Sequence, residues 1–511
     1  MLTERKKHLL NVVAGQSNML AFTAGSLVVT PAVVGALGDS RYGGWLLINS
    51  YIQYLRMLDL GTSAGTMKFG AGAHKRGDTG TLRSVLDTSA AMFLSIGGLA
   101  AVATVLLAVL LPLLFPSILG NQHKTILILG AAGVIDLVFR PFSAALRMRS
   151  YHFIHDAIET GCYAVFKLGL VLYFAYADEL DYRILALLTL GEYGTRIFLV
   201  VISTFVITPY IRHMNPLRAQ RAMVRKLATM GAAVSVIMVA DVVRFQLDAT
   251  VIGAFIHDAA TSIAIFGIGT RLPTIAYAAI GVIGNTLVPR FSGLAETNDR
   301  AGMLSLLRGA SLAQGLVTAF VLVSCAVLGP HFLGLWLDND WIGTSAHVMI
   351  ILLPGYYIAL LSGPATALLI GRGKLRGLTI LTVAEAAVNL GLSIALVGPL
   401  GVYGVALGTT IPLALFRGVV FPYLLWKEID FSPREYMKLH TPALLVGFVM
   451  LVCIFWMVYI PVHTWTRLVV SGVGVLVLFG VLAMLLTPPA RKWVQGKLRR
   501  FRRRGPDAEA V

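Results

Sequence analysis

The organisation of the chain depends on one basic stretch, PYIRHMNPLRAQRAMVRK at residues 209–226. On either side of it, apolar windows of about 19 residues predict membrane spans, six before it and eight after it. The predicted spans are residues 10–37, 44–66, 86–115, 125–146, 155–177, 184–208, 227–247, 262–288, 309–329, 346–370, 377–397, 402–425, 441–460 and 468–486. A hydrophobic fraction of 57% and a mean hydropathy of +0.78 agree with an all-α polytopic membrane protein of about 14 transmembrane helices.

Positive charge alternates between successive loops. Counted with the two ends, the odd-numbered loops hold 31 Lys and Arg residues, the even-numbered loops hold four, and seven lie inside spans. Because Lys and Arg accumulate on the cytoplasmic side, both termini are predicted to be cytoplasmic, in a multi-pass protein of the cell inner membrane. The same distribution accounts for the net charge of +17, so that this charge does not indicate nucleic-acid binding.

Weak matches of the chain with itself at an offset near 220 residues indicate two repeats; KLGL at 167–170, for example, aligns with NLGL at 389–392. Six spans is an even number, so the repeats share one orientation and are related by a pseudo-two-fold axis along the membrane normal. The predicted domains are an N-terminal six-helix lobe (1–212), a cytoplasmic linker (213–226), a C-terminal six-helix lobe (227–426), an additional helix pair (427–488) and a basic cytoplasmic tail (489–511). The tail fits either an amphipathic helix on the inner leaflet or a solvated flank.

Fifteen Asp, Glu, Lys and Arg residues fall inside the predicted spans. Each costs roughly 3 kcal/mol when exposed to lipid, so most must face the protein interior or a wet cavity. Four acid–base pairs lie three or four residues apart, and each fits either an intrahelical salt bridge or a functional site. These pairs are Arg56 with Asp59, Asp136 with Arg140, Glu192 with Arg196, and Asp241 with Arg244.

Three cations, Lys167, Arg271 and Arg417, have no acidic residue three or four positions away. Unpaired cations at this depth are suited to an anion such as pyrophosphate, which guanidinium groups bind bidentately. The candidates for ion coupling are carboxylates, because a desolvated carboxylate can gain and lose a proton. They are Asp59, Asp136, Glu159 and Glu385. His152, His155, Asp156 and Glu159 fit either proton handling or an interfacial polar face.

Motifs give no support for enzyme chemistry, since the one match, GxSxG at residues 61–65, lies at the end of a helical span with no strand before it. The sequence has no HExxH, Walker A or CxxC pattern, and its three cysteines, Cys162, Cys325 and Cys453, all lie inside spans. We therefore expect no cofactor, no metal and no catalytic activity.

Several stretches, in order, carry a family resemblance over about residues 10–425. They are LGDSRYGGWLL (37–47), LDLGTSAGTMKFGAGAHKRGD (58–78), LDATVIGAF (247–255), LVPRFSGLAETND (287–299), LGLWLDND (333–340), LIGRGKLRG (369–377) and NLGLSIALVGPLGVYGVALGTTI (389–411). The chain resembles the polysaccharide-biosynthesis branch of the multidrug, oligosaccharidyl-lipid and polysaccharide exporter superfamily.

This resemblance implies a flippase of polyprenyl-pyrophosphate-linked oligosaccharides, such as an O-antigen, capsule or exopolysaccharide unit, that works by ion-coupled alternating access. It implies a proton or sodium gradient, contact with membrane lipids, and glycan polymerisation or export proteins as partners. Arg56 and Asp59 lie where the family has cavity residues, which makes Arg56 a further pyrophosphate candidate. In the related lipid II flippases two extra helices form a groove for the lipid tail, and the resemblance implies the same role for the pair at 441–486.

Two other classes stay open. A drug or cation antiporter of the same superfamily would depend on a carboxylate such as Asp59 or Glu385. A membrane glycosyltransferase or polymerase is disfavoured, because the predicted outward loops are short and leave no outer domain.

Overall fold

The computed structural model of the protein describes residues 4–59, 61–457 and 463–486. The chain divides into two compact units, Met1–Gly267 and Ile268–Val511. The first unit contains α1 (Glu4–Leu37), α2 (Asp39–Leu55), α3 (Thr62–Lys75), α4 (Thr79–Leu114), α5 (Pro116–Leu119), α6 (His123–Val138), α7 (Arg140–Met148), α8 (His152–Tyr163), α9 (Leu172–Tyr176), α10 (Tyr182–Ile207), α11 (Arg221–Phe255) and most of α12 (Ala259–Gly269). It also contains 3₁₀ turns at Arg56–Asp59, Pro209–His213 and Pro216–Arg218, and a π-helical segment at Ala164–Val171.

The second unit continues with α13 (Arg271–Glu296), α14 (Arg300–Trp336), α15 (Ile342–Leu361), α16 (Gly363–Gly371), α17 (Leu375–Leu400), α18 (Val402–Leu415), α19 (Phe421–Ile429), α20 (Pro433–Met457) and α21 (Trp465–Leu486). A π-helical segment, Phe416–Val420, joins α18 to α19. Every described element of both units is helical, which confirms the all-α fold.

The helices account for the predicted spans. Twelve are long and apolar enough to cross a membrane, some of them formed by two consecutive helices. The other two predicted spans are also helical in the described residues: 44–66 is divided between α2 and α3, and 227–247 lies within the 35-residue helix α11. The protein is therefore a multi-pass membrane protein. The basic tail, 489–511, lies outside the described residues.

Prolines explain why several spans consist of two helices. Pro141 and Pro364 are at the second position of α7 and α16, and Pro273 is at the third position of α13. Proline has no backbone N–H and is tolerated in the first turn of a helix, so each residue restarts the helix in a new direction. The new helices α7 and α13 both begin on an arginine, Arg140 and Arg271.

Aspartate side chains fix the starts of long helices outside the membrane-spanning segments. Asp78, Asp181 and Asp299 accept hydrogen bonds from backbone N–H groups of the first turns of α4, α10 and α14. Hydrogen bonds from the Thr81 side chain and backbone hold the pKa of the Asp78 carboxyl below its usual value.

Each unit has its own apolar packing. In the first unit α4 packs against α6, α1 against α8, and α10 against α6. In the second, α18 packs against α15 and α17, and a core cluster surrounds Phe291 and Phe421. The additional pair α20 and α21 packs on α14 through Val323, Met450 and Val475. The boundary between the units lies in α12, and the division into lobes around a linker at 213–226 stays a prediction.

The break between α2 and α3 depends on Gly61, which has a φ of +66°. A Cβ atom there would lie 2.5 Å from the carbonyl oxygen of Gly231 on α11. Gly77 has a similar φ of +70° but nothing within 4 Å, so it is a matched control. We expect Gly77→Ala to carry only backbone strain, about 1–3 kcal/mol. For Gly61→Ala the free energy of unfolding should fall by about 1–3 kcal/mol more, because the new Cβ overlaps the carbonyl oxygen of Gly231.

Thermal unfolding of both variants in one detergent would measure this difference. Equal losses of stability in the two variants would show that the contact between α3 and α11 relaxes without penalty.

Candidate functional site

Two arginines hold a buried ionic network inside the first unit. Arg140, at the start of α7, donates to Asp59 Oδ2 over 2.5 Å and lies 3.4 Å from Asp136 Oδ2. Arg196, on α10, donates to Asp136 Oδ1 over 2.6 Å and to Glu159 Oε1 over 2.9 Å. The carboxylate of Asp136 therefore bridges the two guanidinium groups.

The network extends to α1. Asn18 donates from Nδ2 to the second oxygen of Glu159, Oε2, over 3.0 Å. Arg196 is 7% exposed and Asp59 is 4% exposed. Because desolvated charges are tolerated only when they are paired and hydrogen-bonded, these contacts make burial of the cluster possible.

Lys167 forms a second pair nearby. It lies in the π-helical segment Ala164–Val171, donates to Thr189 Oγ1 over 2.8 Å, and has Glu192 Oε2 at 3.7 Å. The expectation that Lys167 lacks an acidic partner is wrong, because packing of α10 brings Glu192 to it from another helix. Of the two alternatives left open for Glu192 with Arg196, the intrahelical salt bridge is not the one formed, since Arg196 binds Asp136 and Glu159 instead.

The second unit contains a related arrangement. Arg417 lies in the π-helical segment Phe416–Val420 and donates from Nε to Glu385 Oε2 on α17 over 2.7 Å. Its Nη2 lies 3.3 Å from Thr382 Oγ1, and Glu385 is 0% exposed. Arg417 therefore also has an acidic partner that its own helix does not supply, which corrects the expectation that it is unpaired. One turn beyond Glu385, Asn389 donates to Thr409 Oγ1 over 3.0 Å.

Arg271 differs from the other two candidates. It begins α13, and its buried Nε has no hydrogen-bond partner. Among the residues that the structure describes, it forms no ion pair. The side chains of Arg56 and Asp241 lie outside the described residues, so their expected local pairs are not tested. Of the four local pairs, Asp136 with Arg140 is confirmed.

The balance of charge limits what the first unit can bind. Arg140, Lys167 and Arg196 face four carboxylates, those of Asp59, Asp136, Glu159 and Glu192. If all seven groups are ionised, three positive and four negative charges give this cluster a net charge of about −1. An anion could bind here only if a carboxylate were displaced or protonated.

A small cavity adjoins this network. Its volume is about 20 Å³, enough for one water molecule, and its lining includes Asp136, His155 and Arg196. His155, Asp156 and Glu159 place ligand atoms within 4.8 Å of one another, as a metal site would require. Both oxygens of Glu159 are already hydrogen-bonded, and a guanidinium adjoins them. The set therefore fits water or a proton better than a divalent cation.

Sequence reasoning missed two buried carboxylates. Asp87 on α4 is 3% exposed and accepts a hydrogen bond from the backbone N–H of Asn215, and Asp248 on α11 is 8% exposed. The predicted span ended at residue 247, so Asp248 was counted as a loop residue. Asn18 was missed as well, because an uncharged amide in an apolar span carries no charge signal. Helix α11 in fact continues to Phe255.

The chain has measurable likeness to known proteins, although no family model matches it. It is 22% identical over 514 residues to the uncharacterized membrane protein EpsK of Bacillus subtilis (strain 168), with 97% of this chain and 98% of that protein covered. It superposes on the lipid II flippase MurJ in an inward closed conformation with a TM-score of 0.68 and 14% identity, covering 93% of this chain and 98% of that one.

Multidrug resistance transporters of the MATE family give a second set of matches. An outward-facing structure has a TM-score of 0.61 at 15% identity, covering 85% of this chain and 96% of that one. An inward-facing structure has a TM-score of 0.58 at 17% identity, covering 82% of this chain and 96% of that one. The chain therefore has the same fold as these flippase and transporter structures.

Proposed function

We propose that the protein is a flippase that moves polyprenyl-pyrophosphate-linked oligosaccharide from the cytoplasmic to the outer leaflet by ion-coupled alternating access. The observation that carries the proposal is the extent of the likeness to MurJ, which covers 93% of the chain, against 85% for the outward-facing multidrug transporter. The chain has the helices α20 and α21 beyond the two repeats, packed on α14. A hydrophobic groove along such a pair suits a long lipid tail.

Recognition of the pyrophosphate is assigned first to Arg271. Arg271 is half-buried, its Nε is buried without a hydrogen-bond partner, and it has no ion pair among the described residues, so an arriving phosphate would meet a donor that no carboxylate occupies. Lys167 and Arg417 stay candidates, but each would have to exchange Glu192 or Glu385 for the substrate. Arg56 also stays a candidate on the family resemblance alone.

Asp59, Asp136, Glu159 and Glu385 stay candidates for ion coupling. Each is held by a guanidinium, so a proton or sodium ion would have to compete with an arginine for the carboxylate. Such competition links ion binding to rearrangement of the helices that carry the arginines. The transport step forms no covalent bond, and the proposal needs no cofactor and no enzyme activity.

The proposal includes the cellular setting. The protein would lie in the cytoplasmic membrane with both termini inside, draw on a proton or sodium gradient, and hand its product to glycan polymerisation or export proteins. Glycans such as O-antigen, capsule or exopolysaccharide units are the substrates that the family resemblance suggests.

We expect Arg271→Gln to reduce flipping of a fluorescent polyprenyl-pyrophosphate oligosaccharide in proteoliposomes by about 10-fold or more. A lost charge-assisted contact of about 1.5–3 kcal/mol corresponds to that range. Arg290→Gln is the matched control, because Arg290 is an exposed arginine on the same helix. Arg271→Lys should recover only part of the rate, since lysine keeps the charge and loses the bidentate geometry.

Equal rates for wild type, Arg271→Gln and Arg290→Gln would remove Arg271 from the site. A wild-type protein that expels cationic dyes and moves no lipid-linked glycan would favour the antiporter alternative, which the likeness to the MATE transporters supports.

A further inference from the structure

The connection between the two predicted lobes is fastened to the first unit. Asp87 on α4, which is 3% exposed, accepts a hydrogen bond from the backbone N–H of Asn215 over 2.7 Å. Ser84 donates to Gln220 Oε1 over 2.8 Å, and the hydroxyl of Thr88 accepts from the backbone N–H of Gln220 over 3.2 Å. These three side chains lie three or four residues apart on one face of α4. They hold the stretch that leads into α11.

The first turns of α11 continue this contact. Leu227, which is 0% exposed, lies in one apolar cluster with Val85 on α4. A Cβ atom at Gly65 on α3 would lie 3.2 Å from the backbone oxygen of Leu227 and 3.3 Å from its Cα atom. One turn further along α11, Gly61 makes the equally close approach to Gly231 described above. The backbones of α3 and α11 therefore touch, because glycine leaves room for them.

The second half of α11 packs on the same unit. Tyr54 on α2 donates from its hydroxyl to the backbone oxygen of Gln246 over 2.8 Å, and this hydroxyl lies 3.3 Å from Thr250 Oγ1. In the last turn of α11, a Cβ atom at Gly253 would lie 3.0 Å from the ring of Phe115, the residue that follows α4. Contacts with α2, α3 and the two ends of α4 thus follow α11 from its first turns to its last.

Contacts at a single end would let a helix separate from its neighbours when one side of a transporter opens. Helix α11 is instead held along its length by helices of one unit, and the boundary of that unit falls after α11, at Gly267. Moving α11 away would break the hydrogen bonds of Asp87 and Tyr54 together with the close backbone contact at Gly65. Two bodies divide where few contacts cross between them, so the start of α11 is a poor place for a hinge.

We propose that α11 moves as part of the first unit during transport, so that the moving boundary lies after α11 and not in the predicted linker at 213–226. The first moving body then has seven spans in place of the predicted six. Residues 213–220 are a fixed strap on α4, and they carry no hinge motion. This inference rests on the proposed alternating access and names the helix that divides the two moving bodies differently from the two repeats.

The test locks α11 to α3 with a disulfide in the full-length protein. Gly65→Cys is combined with Leu227→Cys in a background in which the three native cysteines are replaced by alanine. Gly97→Cys with Val138→Cys is the matched control. A Cβ atom at Gly97 would lie 3.7 Å from Val138 Cβ, which suits a disulfide between α4 and α6, two helices of the predicted six-helix lobe.

The first readout is the rate and extent of disulfide formation under a mild oxidant, measured by mass spectrometry without any substrate. We expect both pairs to close completely and at similar rates, in proteoliposomes with and without an imposed proton or sodium gradient. A contact that opens during the transport cycle would close more slowly than the control pair and would respond to the gradient.

The second readout is flipping of glycan-lipid after oxidation, which should continue unchanged in both locked proteins. Flipping that stops when the 65–227 pair is oxidised, returns on reduction and persists in the oxidised 97–138 pair would overturn the proposal. Slow or incomplete closure of the 65–227 pair would overturn it as well. If the reduced protein moves no lipid-linked glycan, the flippase assignment fails, and the closure of the two pairs still decides whether α11 stays with the first unit.

Discussion

Replacing Arg196 by alanine is expected to lower the free energy of unfolding by about 3 kcal/mol, the lower end of the usual effect of breaking a buried ion pair from one side. The loss arises because Asp136 and Glu159, whose side chains are only 18% and 24% exposed, lose contacts of 2.6 and 2.9 Å. Arg140 still reaches Asp136 at 3.4 Å and cannot serve both. Thermal or denaturant unfolding in detergent measures the change.

Arg183→Ala is the control for that experiment, because Arg183 is exposed near the start of the same helix, α10. It should change stability by no more than about 0.5 kcal/mol. If Arg196→Ala were as mild as Arg183→Ala, the carboxylates would have to be neutral or hydrated, and the network would not be a structural ion cluster.

The second large effect concerns Glu385 and Arg417. Glu385→Ala leaves Arg417, which is 8% exposed, without its 2.7 Å partner, and should destabilise the protein by about 3–5 kcal/mol. The double variant Glu385→Leu with Arg417→Met should recover most of that loss, because apolar side chains of similar volume remove both desolvation penalties. Unfolding of Glu385→Leu, Arg417→Met and the double variant, compared with wild type, closes a thermodynamic cycle.

Flipping measured on the same proteins separates stability from function. A stable double variant that no longer transports would place the pair in substrate or ion recognition. A double variant that is as unstable as Glu385→Ala would show that the pair holds helix α17 through contacts other than charge.

The fold could be predicted from the sequence because the bilayer imposes two simple requirements. Each span must contain about 20 apolar residues, and loops that stay in the cytoplasm collect Lys and Arg. Every predicted span falls on helical residues wherever the structure describes it. Breaks inside spans, such as those at Pro141 and Pro364, were visible as prolines, although their local direction depends on packing.

The ion-pair partners of the charged residues were harder to predict from the sequence. Spacing along one helix shows only neighbours three or four residues away, and it found Asp136 with Arg140. Glu192 reaches Lys167, and Glu385 reaches Arg417, because two different helices pack together. Asp248 was missed because the predicted span ended at residue 247, whereas helix α11 continues to Phe255.

The π-helical segments that carry Lys167 and Arg417 make the ion pairs sensitive to residue count as well as to residue type. A π turn accommodates one residue more than an α turn, and one residue rotates everything after it by about 100° around the helix axis. Deleting a single residue from Ala164–Val171 would therefore turn the remainder of the fifth span onto a different face. The direction in which Lys167 and Arg417 point depends on the π-helical geometry of their segments. Inserting or deleting one residue in such a segment can therefore separate the ion pair even when both of its residues are kept.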